Sequence, residues 1–394
     1  MAKKGTIGIL TGGGDVPGLN PAIRAATIRA IKDGYDVIGI KNGWKGLLYI
    51  DRNRKIDDQD YAQILDIKTV NPLGRRGGTF LHSSRVNPVK VPKKDVPDHL
   101  KIQYNADIND MTPEVVKNLN HLGIEFLIPI GGDDTLSYGA HLHRQGFKVI
   151  AIPKTMDNDV PGTDYCLGFS TCMSRTVELT HQLRTCAGSH ERFLVIEVMG
   201  RYAGFSAILP TMAGAADRCL IPEHQFNYDR LTQLLLEDKH NNPSNYSVVL
   251  VSEGAMPEGN LEMVFESNET DGFGHKKLGG IGDMVCKKLK DLSGKYNNGK
   301  KVETISQRLG YLVRSGEPDA IDSLVSLSFG NLAMDLIDQG KSGLMVCLNK
   351  GRYESVPIDV VISYKKLVDV SKFYDVNRYR PNFSNFEDKP MWIF

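Results

Sequence analysis

Apolar and polar positions follow one another in blocks along this chain. TIGILTGGGDVPGLNPAIRAATIRAIKDG opens with a strand-like run (Ile7, Ile9, Leu10), breaks at a glycine turn, and resumes with helical periodicity from Ala22 to Ile31. Pro21 suits a first helical turn, where its missing N–H would be unpaired anyway, and Asn20 reads as the cap before it. YDVIGI repeats the strand signal, and GIEFLIPI and FKVIAIP follow at βαβ distances. Continuous apolar strands with helices between them predict a parallel sheet covered on both faces. From about residue 165 the pattern restarts: a helix from Thr171 to Thr185, the strand RFLVIEVMG, a helix after Gly204 and the strand YSVVLVSEGA. The fold class is α/β, with two similar units whose functional loops face each other across a cleft. Pro88 to Asp110 has little periodicity and reads as a surface excursion. The 45 residues from Lys350 onward mix charge with Tyr353, Tyr364, Phe373, Tyr374 and Tyr379, which suits a packed extension or a subunit interface.

The totals narrow the function classes. A chain of 394 residues exceeds one compact core and fits two domains. Lys+Arg 48 against Asp+Glu 47 leaves a net charge of +1, and there is neither a basic stripe nor aromatic interleaving, which argues against nucleic acid. No apolar run reaches the roughly 18 residues needed to cross a bilayer. MAKKGTIGILTGGGD enters a strand without an apolar h-region or cleavage pattern, so no membrane role and a cytoplasmic location are expected. The six cysteines lack metal-type spacing and read as buried thiols.

Chemistry collects at four strand ends, where open α/β sheets place their sites. In TGGGDVPGLN, Gly12, Gly13 and Gly14 let backbone approach an anion while the following helix offers its positive end, or else they form an ordinary tight turn. In GGDDT, a carboxylate at the end of a buried strand beside two glycines can hold Mg²⁺ against a substrate phosphate; a solvated acidic pair at a helix start is the alternative. In IPKTMDNDVPGTD, Asp157 and Asp159 flank Asn158 after a strand, with Lys154 and Thr155 ahead of them. A carboxylate such as Asp157 can accept a hydroxyl proton while Lys154 neutralises a phosphate; the alternative is an Asx-rich turn. The fourth cluster gathers His190, Arg192, Arg201, Glu253, Arg308 and Arg314, whose arginine forks match phosphate oxygens. Phosphate binders, a metal carboxylate and a base are the parts of a phosphoryl-transfer site.

With these residues in hand, the chain resembles the phosphofructokinase family. LTGGGDVPGLNPAIR, GGTFLHSSR, GGDDTLSYGA, PKTMDND, VMGRYAG, SEGA and LGYLVRSGEP stand in family order over roughly residues 5 to 330. The resemblance implies two Rossmann-like three-layer domains with the active site in the cleft between them. Residues 1–168 and about 313–360 would form the donor and Mg²⁺ domain, and 169–312 with part of the tail the sugar-phosphate domain. It implies a homo-oligomer, dimer or tetramer, that phosphorylates O1 of fructose 6-phosphate with Mg²⁺. Carried over by position, Asp157 is the base, Thr155 places the reacting groups and Asp159 supports the site electrostatically. Asp133 is the Mg²⁺ carboxylate. Met199, Gly200 and Arg201 contact the sugar phosphate, with Arg201 also near the transferring group. Glu253 and Arg314 are sugar and 6-phosphate ligands, Arg192 reaches a neighbouring subunit's site, and the glycines at 12–14 with Arg85 line the donor. Tyr311 stands where the LGH form has histidine, and a phenol can still donate a hydrogen bond there. Ile305 replaces a second intersubunit arginine, with Arg308 nearby.

The donor expectation rests on Asp134 and Lys154. ATP-dependent bacterial members resemble GGDG and PGTIDND at these motifs, whereas this chain has GGDD and PKTMDND. A carboxylate at 134 adds bulk and charge that should repel a nucleotide's α-phosphate, and Lys154 adds a cation suited to a small, highly charged donor. The combination resembles the pyrophosphate-dependent branch, whose reaction runs both ways and could serve glycolysis or gluconeogenesis. The rival readings are an ATP-dependent enzyme, a pyrophosphate enzyme acting mainly on sedoheptulose 7-phosphate, and a non-catalytic sugar-phosphate-binding subunit. The last would be expected to lack Asp157 or Asp133.

Overall fold

A computed structural model describes residues 3–270, 274, 276–384 and 386–387. The apolar runs become β1 (Gly5–Thr11), β2 (Tyr35–Ile40), the short β3 (Ala62–Ile64), β4 (Phe126–Gly131) and β5 (Lys148–Pro153). After them come the strands of a second sheet, β6 (Phe193–Val198), β7 (Arg218–Leu220), β8 (Ser247–Ser252) and β9 (Thr304–Arg308). The chain then returns to the first sheet with β10 (Leu344–Asn349) and β11 (Arg352–Pro357). The first sheet has the order β11-β10-β5-β4-β1-β2-β3, and the second β9-β6-β8-β7. In the first, β10 to β2 run parallel and only the two edge strands are antiparallel. All four strands of the second run parallel. The central strands β4, β6 and β8 are buried at every position, as continuous apolar runs require.

Topology then sets where a ligand can sit. β1 and β4 are neighbours, but the chain leaves β1 toward β2 on one side and β4 toward β5 on the other. The crevice at such a switch point opens at the C-terminal ends of the strands. Here that places Gly12 to Gly14 beside Gly131 to Asp134.

The helices that matter for the site are α1 (Leu19–Lys32), α2 (Asp133–Arg144), α3 (Phe169–Ser189), α4 (Phe205–Met212) and α5 (Ala320–Asp338). The N-cap of α1 is Gly18, in the left-handed region at φ 117°. Asn20, read from sequence as the cap, lies inside the helix and is buried. Its amide donates to the carbonyls of Arg76 and Gly77, and its Oδ1 accepts from Phe80 N–H at 2.6 Å. Asn20 therefore fixes the loop that runs back to the glycine turn. α3 is longer than its periodicity announced, by two residues at the start and four at the end.

By length and composition α5 could cross a bilayer, although Asp322, Asn331 and Asp335 interrupt its apolar positions. In the fold it packs along α1, where a Cβ on Gly330 would lie 2.8 Å from the Ala25 methyl. Its first turn carries Asp322, fully buried, accepting from Tyr165 O–H (2.5 Å), Gly168 N–H (2.7 Å) and Thr171 N–H (2.8 Å). That carboxylate ties α5 to the start of α3, where the chain leaves the first sheet for the second.

Two other expectations change, and the packing of the tail becomes visible. Residues 88–110 hold a two-stranded pairing of 91–92 with 108–109, and Val91, Val96 and Leu100 are buried beside Trp44 and Met111. Irregular spacing hid that apolar set from a periodicity reading. Four cysteines are buried, but Cys286 is half-buried and Cys186 is exposed on the outward side of α3. The C-terminal segment covers the edge of the second sheet. Tyr374 O–H donates to the carbonyl of Cys219 in β7 (2.7 Å), and Arg218 donates to the Arg378 carbonyl (2.7 Å). Covering an open strand edge removes a template for unwanted pairing.

Candidate active site

The loop after β1 is held from two sides. Gly12 N–H donates to the carbonyl of Ile130 in β4, and Gly13 N–H to that of Ser84, both at 3.0 Å. A Cβ at Gly12 would sit 2.5 Å from Thr135 Oγ1, so that position has no room for a side chain, and one at Gly14 would sit 2.4 Å from Arg314 Nη2 and displace the guanidinium. Lys154, from the end of β5, is buried and donates from Nζ to the Gly14 carbonyl at 2.7 Å. Burial, with Arg314 and Arg85 nearby, pushes its pKa down from 10.5 to about 8, and Asp133 and Asp15 oppose that shift. Arg314 is bonded to Asp15, through Nε to the carbonyl (3.0 Å) and Nη2 to Oδ1 (2.9 Å). Asp133 and Asp134 both stand in the first turn of α2, with Asp133 exposed and its Oδ1 accepting from Asp134 N–H at 2.9 Å. The positive end of that helix is where two adjacent acids repel least.

The next loop is closed by Asn158, which is buried in the left-handed region at φ 54°. Its side chain donates to the Asp164 carbonyl (3.1 Å) and accepts from Cys166 N–H (3.0 Å). With Asn158 turned inward, Asp157 and Asp159 are left facing the cleft. Arg201, which comes from the second sheet, brings its backbone and guanidinium toward Asp157. Its Oδ1 is buried and has no hydrogen-bond partner among the described residues. Thr155 Oγ1 accepts from Asp157 N–H at 3.2 Å. Burial raises the pKa of Asp157 first and Glu253 adds to it, while burial and then Asp157 and Asp133 raise that of Asp159.

The second sheet supplies the facing wall. Met199, Gly200 and Arg201 follow β6, and Glu253 follows β8 with its N–H on the Val198 carbonyl at 2.9 Å. A Cβ on Gly254 would lie 1.9 Å from the Arg201 carbonyl oxygen, so only glycine lets these two loops touch. Burial pushes Glu253 up to about 7, against the pull of Arg201, Arg308 and Arg314. One cleft thus holds an orphaned carboxylate oxygen, three further carboxyls (Asp133, Asp159 and Glu253), a buried ammonium and two guanidinium groups. It can take a proton from a hydroxyl and neutralise phosphate charge.

A phosphofructokinase family model matches residues 6–337. This chain belongs to the phosphofructokinase family. It is 37% identical over 378 residues to the pyrophosphate--fructose 6-phosphate 1-phosphotransferase of Dictyoglomus thermophilum, covering 95% of this chain and 97% of that one. It is 35% identical to the ATP-dependent 6-phosphofructokinase 3 of Streptomyces coelicolor, covering 92% and 96%. Among solved structures, the pyrophosphate-dependent phosphofructokinase of Nitrosospira multiformis shares the fold. That match has a TM-score of 0.74 at 16% identity, over 98% of this chain and 95% of that one.

Not every phosphofructokinase motif residue enters this cleft. Arg192 precedes β6, whereas Met199 to Arg201 follow it, so the strand separates them by about 20 Å. A shallow groove of about 610 Å³ beside Arg184 and Tyr246 lies at that far end and shares no residue with the cleft. Tyr311 is 70% exposed, with its ring 5.3 Å from the Arg314 guanidinium. Arg308 donates to Glu197 (2.9 Å) and pairs with Glu266, both within the second unit. Arg85 is exposed, on the loop whose Ser83 hydroxyl bonds the Gly13 carbonyl.

Sequence reasoning missed Asp15, Tyr202 and, above all, Lys366. This tail lysine is buried, and its Nζ donates to the Thr163 carbonyl at 2.7 Å. Burial pushes it down to about 8, against Cys166, Asp164 and Asp159. A cavity of about 330 Å³ lies between Asp133 and Asp159 on one side and Tyr202, Tyr364 and Lys366 on the other. In the sequence SYKKLVDV nothing distinguishes Lys366 from its solvated neighbour Lys365.

Proposed function

We propose that this phosphofructokinase transfers a phosphoryl group from pyrophosphate to O1 of D-fructose 6-phosphate, giving fructose 1,6-bisphosphate and phosphate, reversibly. The observation that carries the donor assignment is the pairing of Asp134, at the mouth of α2, with the Lys154 ammonium beneath the glycine loop. A carboxylate there opposes an α-phosphate, and a desolvated cation favours a compact anion. In the forward step O1 attacks phosphorus, the bridging P–O bond breaks, and phosphate leaves. The hydroxyl proton passes to Asp157 Oδ1, the buried oxygen without a partner. Thr155 and Arg201 hold the reacting groups, and Asp159 shapes the field at Asp157. Gly13, Gly14, Arg85 and Lys154 receive the donor, while Met199, Gly200, Glu253, Tyr311 and Arg314 receive the sugar phosphate. Arg314 would exchange its contact with Asp15 for substrate.

The residues present fit Mg²⁺. Asp133 is an exposed carboxylate at a cavity shared with Asp159, and no cluster of three or more ligating side chains exists among the described residues. Mg²⁺ is commonly held by one or two carboxylates, water and substrate phosphates. When bound, it would offset charge on the transferring phosphates. Arg192, placed at the far end of β6, supports a homo-oligomer in which it serves a neighbouring site. Sheet membership supports a donor unit of 1–168 with about 313–360 and a sugar unit of 169–312 with part of the tail. A cytoplasmic location completes the reading.

The test is the initial rate of fructose 6-phosphate phosphorylation with Mg²⁺, using pyrophosphate or ATP, for the protein and for Asp134→Gly. We expect activity with pyrophosphate, little with ATP, and a shift toward ATP in the variant. Strong ATP activity in the unmodified protein would overturn the donor assignment.

A further inference from the structure

Residues 364–368 cross from one unit to the other. On the side of the first sheet, Tyr364 O–H accepts from Gly162 N–H at 3.1 Å, and Lys366 Nζ donates to the Thr163 carbonyl at 2.7 Å. On the side of the second sheet, Lys365 Nζ lies 4.0 Å from the centroid of the Tyr202 ring, and Val368 N–H donates to Glu223 Oε1 at 2.9 Å. That same Glu223 oxygen accepts from Gly204 N–H at 3.0 Å. The two loops so joined are those that carry Asp157 and Arg201. The Arg201 backbone and guanidinium also face Asp157 directly.

We propose that residues 364–368 form a positioning strap that sets the Asp157 loop against the Arg201 loop, with Lys366 as its principal tie. The placement of Lys366 carries this. It is 7% exposed, faces Asp159 and Asp164, and its Nζ lies 5.5 Å from the centroid of the Phe205 ring that opens α4. A buried lysine is kept charged only by compensating partners, and these partners belong to the Asp157 loop. Lys366 is spent on the Thr163 carbonyl of that loop, so its effect on the chemistry passes through the loop. Displacing a catalytic group by about 1 Å can cost on the order of 100-fold in rate, so a contact at this distance from the chemistry still matters.

The consequence for catalysis rests on the phosphoryl-transfer reading, so the test also includes a readout that needs no substrate. Lys366→Met keeps the stem and removes the charge, and Lys366→Arg keeps the charge. Tyr364→Phe removes only an exposed hydroxyl and gives a second strap variant should Lys366→Met not fold. We expect Lys366→Met to lower kcat roughly 10- to 100-fold with the fructose 6-phosphate KM within about threefold, and Lys366→Arg to recover much of the loss. Amide exchange should rise in residues 157–164 and 200–204 of Lys366→Met with the remaining peptides unchanged, and rise to a smaller degree at the same places in Tyr364→Phe. Unchanged kcat in an active enzyme, exchange rising evenly along the chain, or arginine as damaging as methionine would overturn the proposal. If the unmodified protein transfers no phosphoryl group from pyrophosphate, the activity reading fails by itself and the exchange pattern still decides the strap.

Discussion

Lys154→Met separates two effects of one buried cation. Moving the Lys154 pKa from 10.5 to about 8 corresponds to about 3 kcal/mol against the charged form in the ligand-free protein. Methionine removes that penalty but leaves the Gly14 carbonyl without its 2.7 Å donor, which costs about 1–3 kcal/mol. The ligand-free variant should therefore be no less stable than the parent at pH 7, and up to about 2 kcal/mol more stable. The sign of the pH dependence follows from proton counts. Below pH 8 the lysine is protonated in both folded and unfolded chains, and the full penalty applies. Between about 8 and 10.5 only the unfolded chain binds the proton, so the parent gains stability on the variant as pH rises. Catalysis should move the other way. kcat/KM for pyrophosphate should fall about 100-fold in the variant, as when one donor to a developing charge is lost. The parent's profile should show a basic limb near pH 8 that is absent from the variant, whose curve also corrects for ionisation of pyrophosphate itself. The assays are urea unfolding without ligand and initial rates with saturating sugar phosphate from pH 6 to 9.5. A variant less stable at pH 7, or a limb that persists near 8 without the lysine, would refute the reasoning.

Other residues give further expectations. Asp157 must be ionised to accept a proton and its pKa is raised, so the acid limb of kcat/KM should lie well above the ordinary carboxylate value of about 4; a limb near 4 in the pH–rate profile would contradict this. Asp322→Ala strands the Tyr165 hydroxyl and the Gly168 and Thr171 N–H groups, so urea unfolding should show a loss on the order of 4 kcal/mol, with Asp322→Asn intermediate. Gly254→Ala forces a Cβ onto the Arg201 carbonyl, and kcat should fall about 100-fold while the far-ultraviolet spectrum is retained. If Arg192 serves a neighbouring site, co-expressed Arg192→Ala and Asp157→Asn chains should form mixed oligomers more active than either variant alone; no recovery would confine Arg192 to a structural role.

Much of this protein was legible in order along the chain, because the relevant forces are local. Buried strands such as FLIPI and LVIEV announce themselves by continuous apolar residues, and glycines beside carboxylates mark the loops that end them. Those loops hold Gly14, Asp133, Asp157, Arg201 and Glu253, and folding brings them to one cleft. Local signals failed where a partner is remote. Asn20 has the chemistry of a cap, yet its amide is used by a loop some sixty residues away. Val91, Val96 and Leu100 have no period, because they fill a gap between elements and line no single face. Lys366 and Thr163 are 203 positions apart, and Asp322 and Thr171 are 151 apart. Propensity and periodicity describe what a segment prefers next to itself. Which charge ends beside which carboxylate is settled only when both sheets have formed and excluded water, and that is why the tail's part in the site could be seen in the tertiary structure alone.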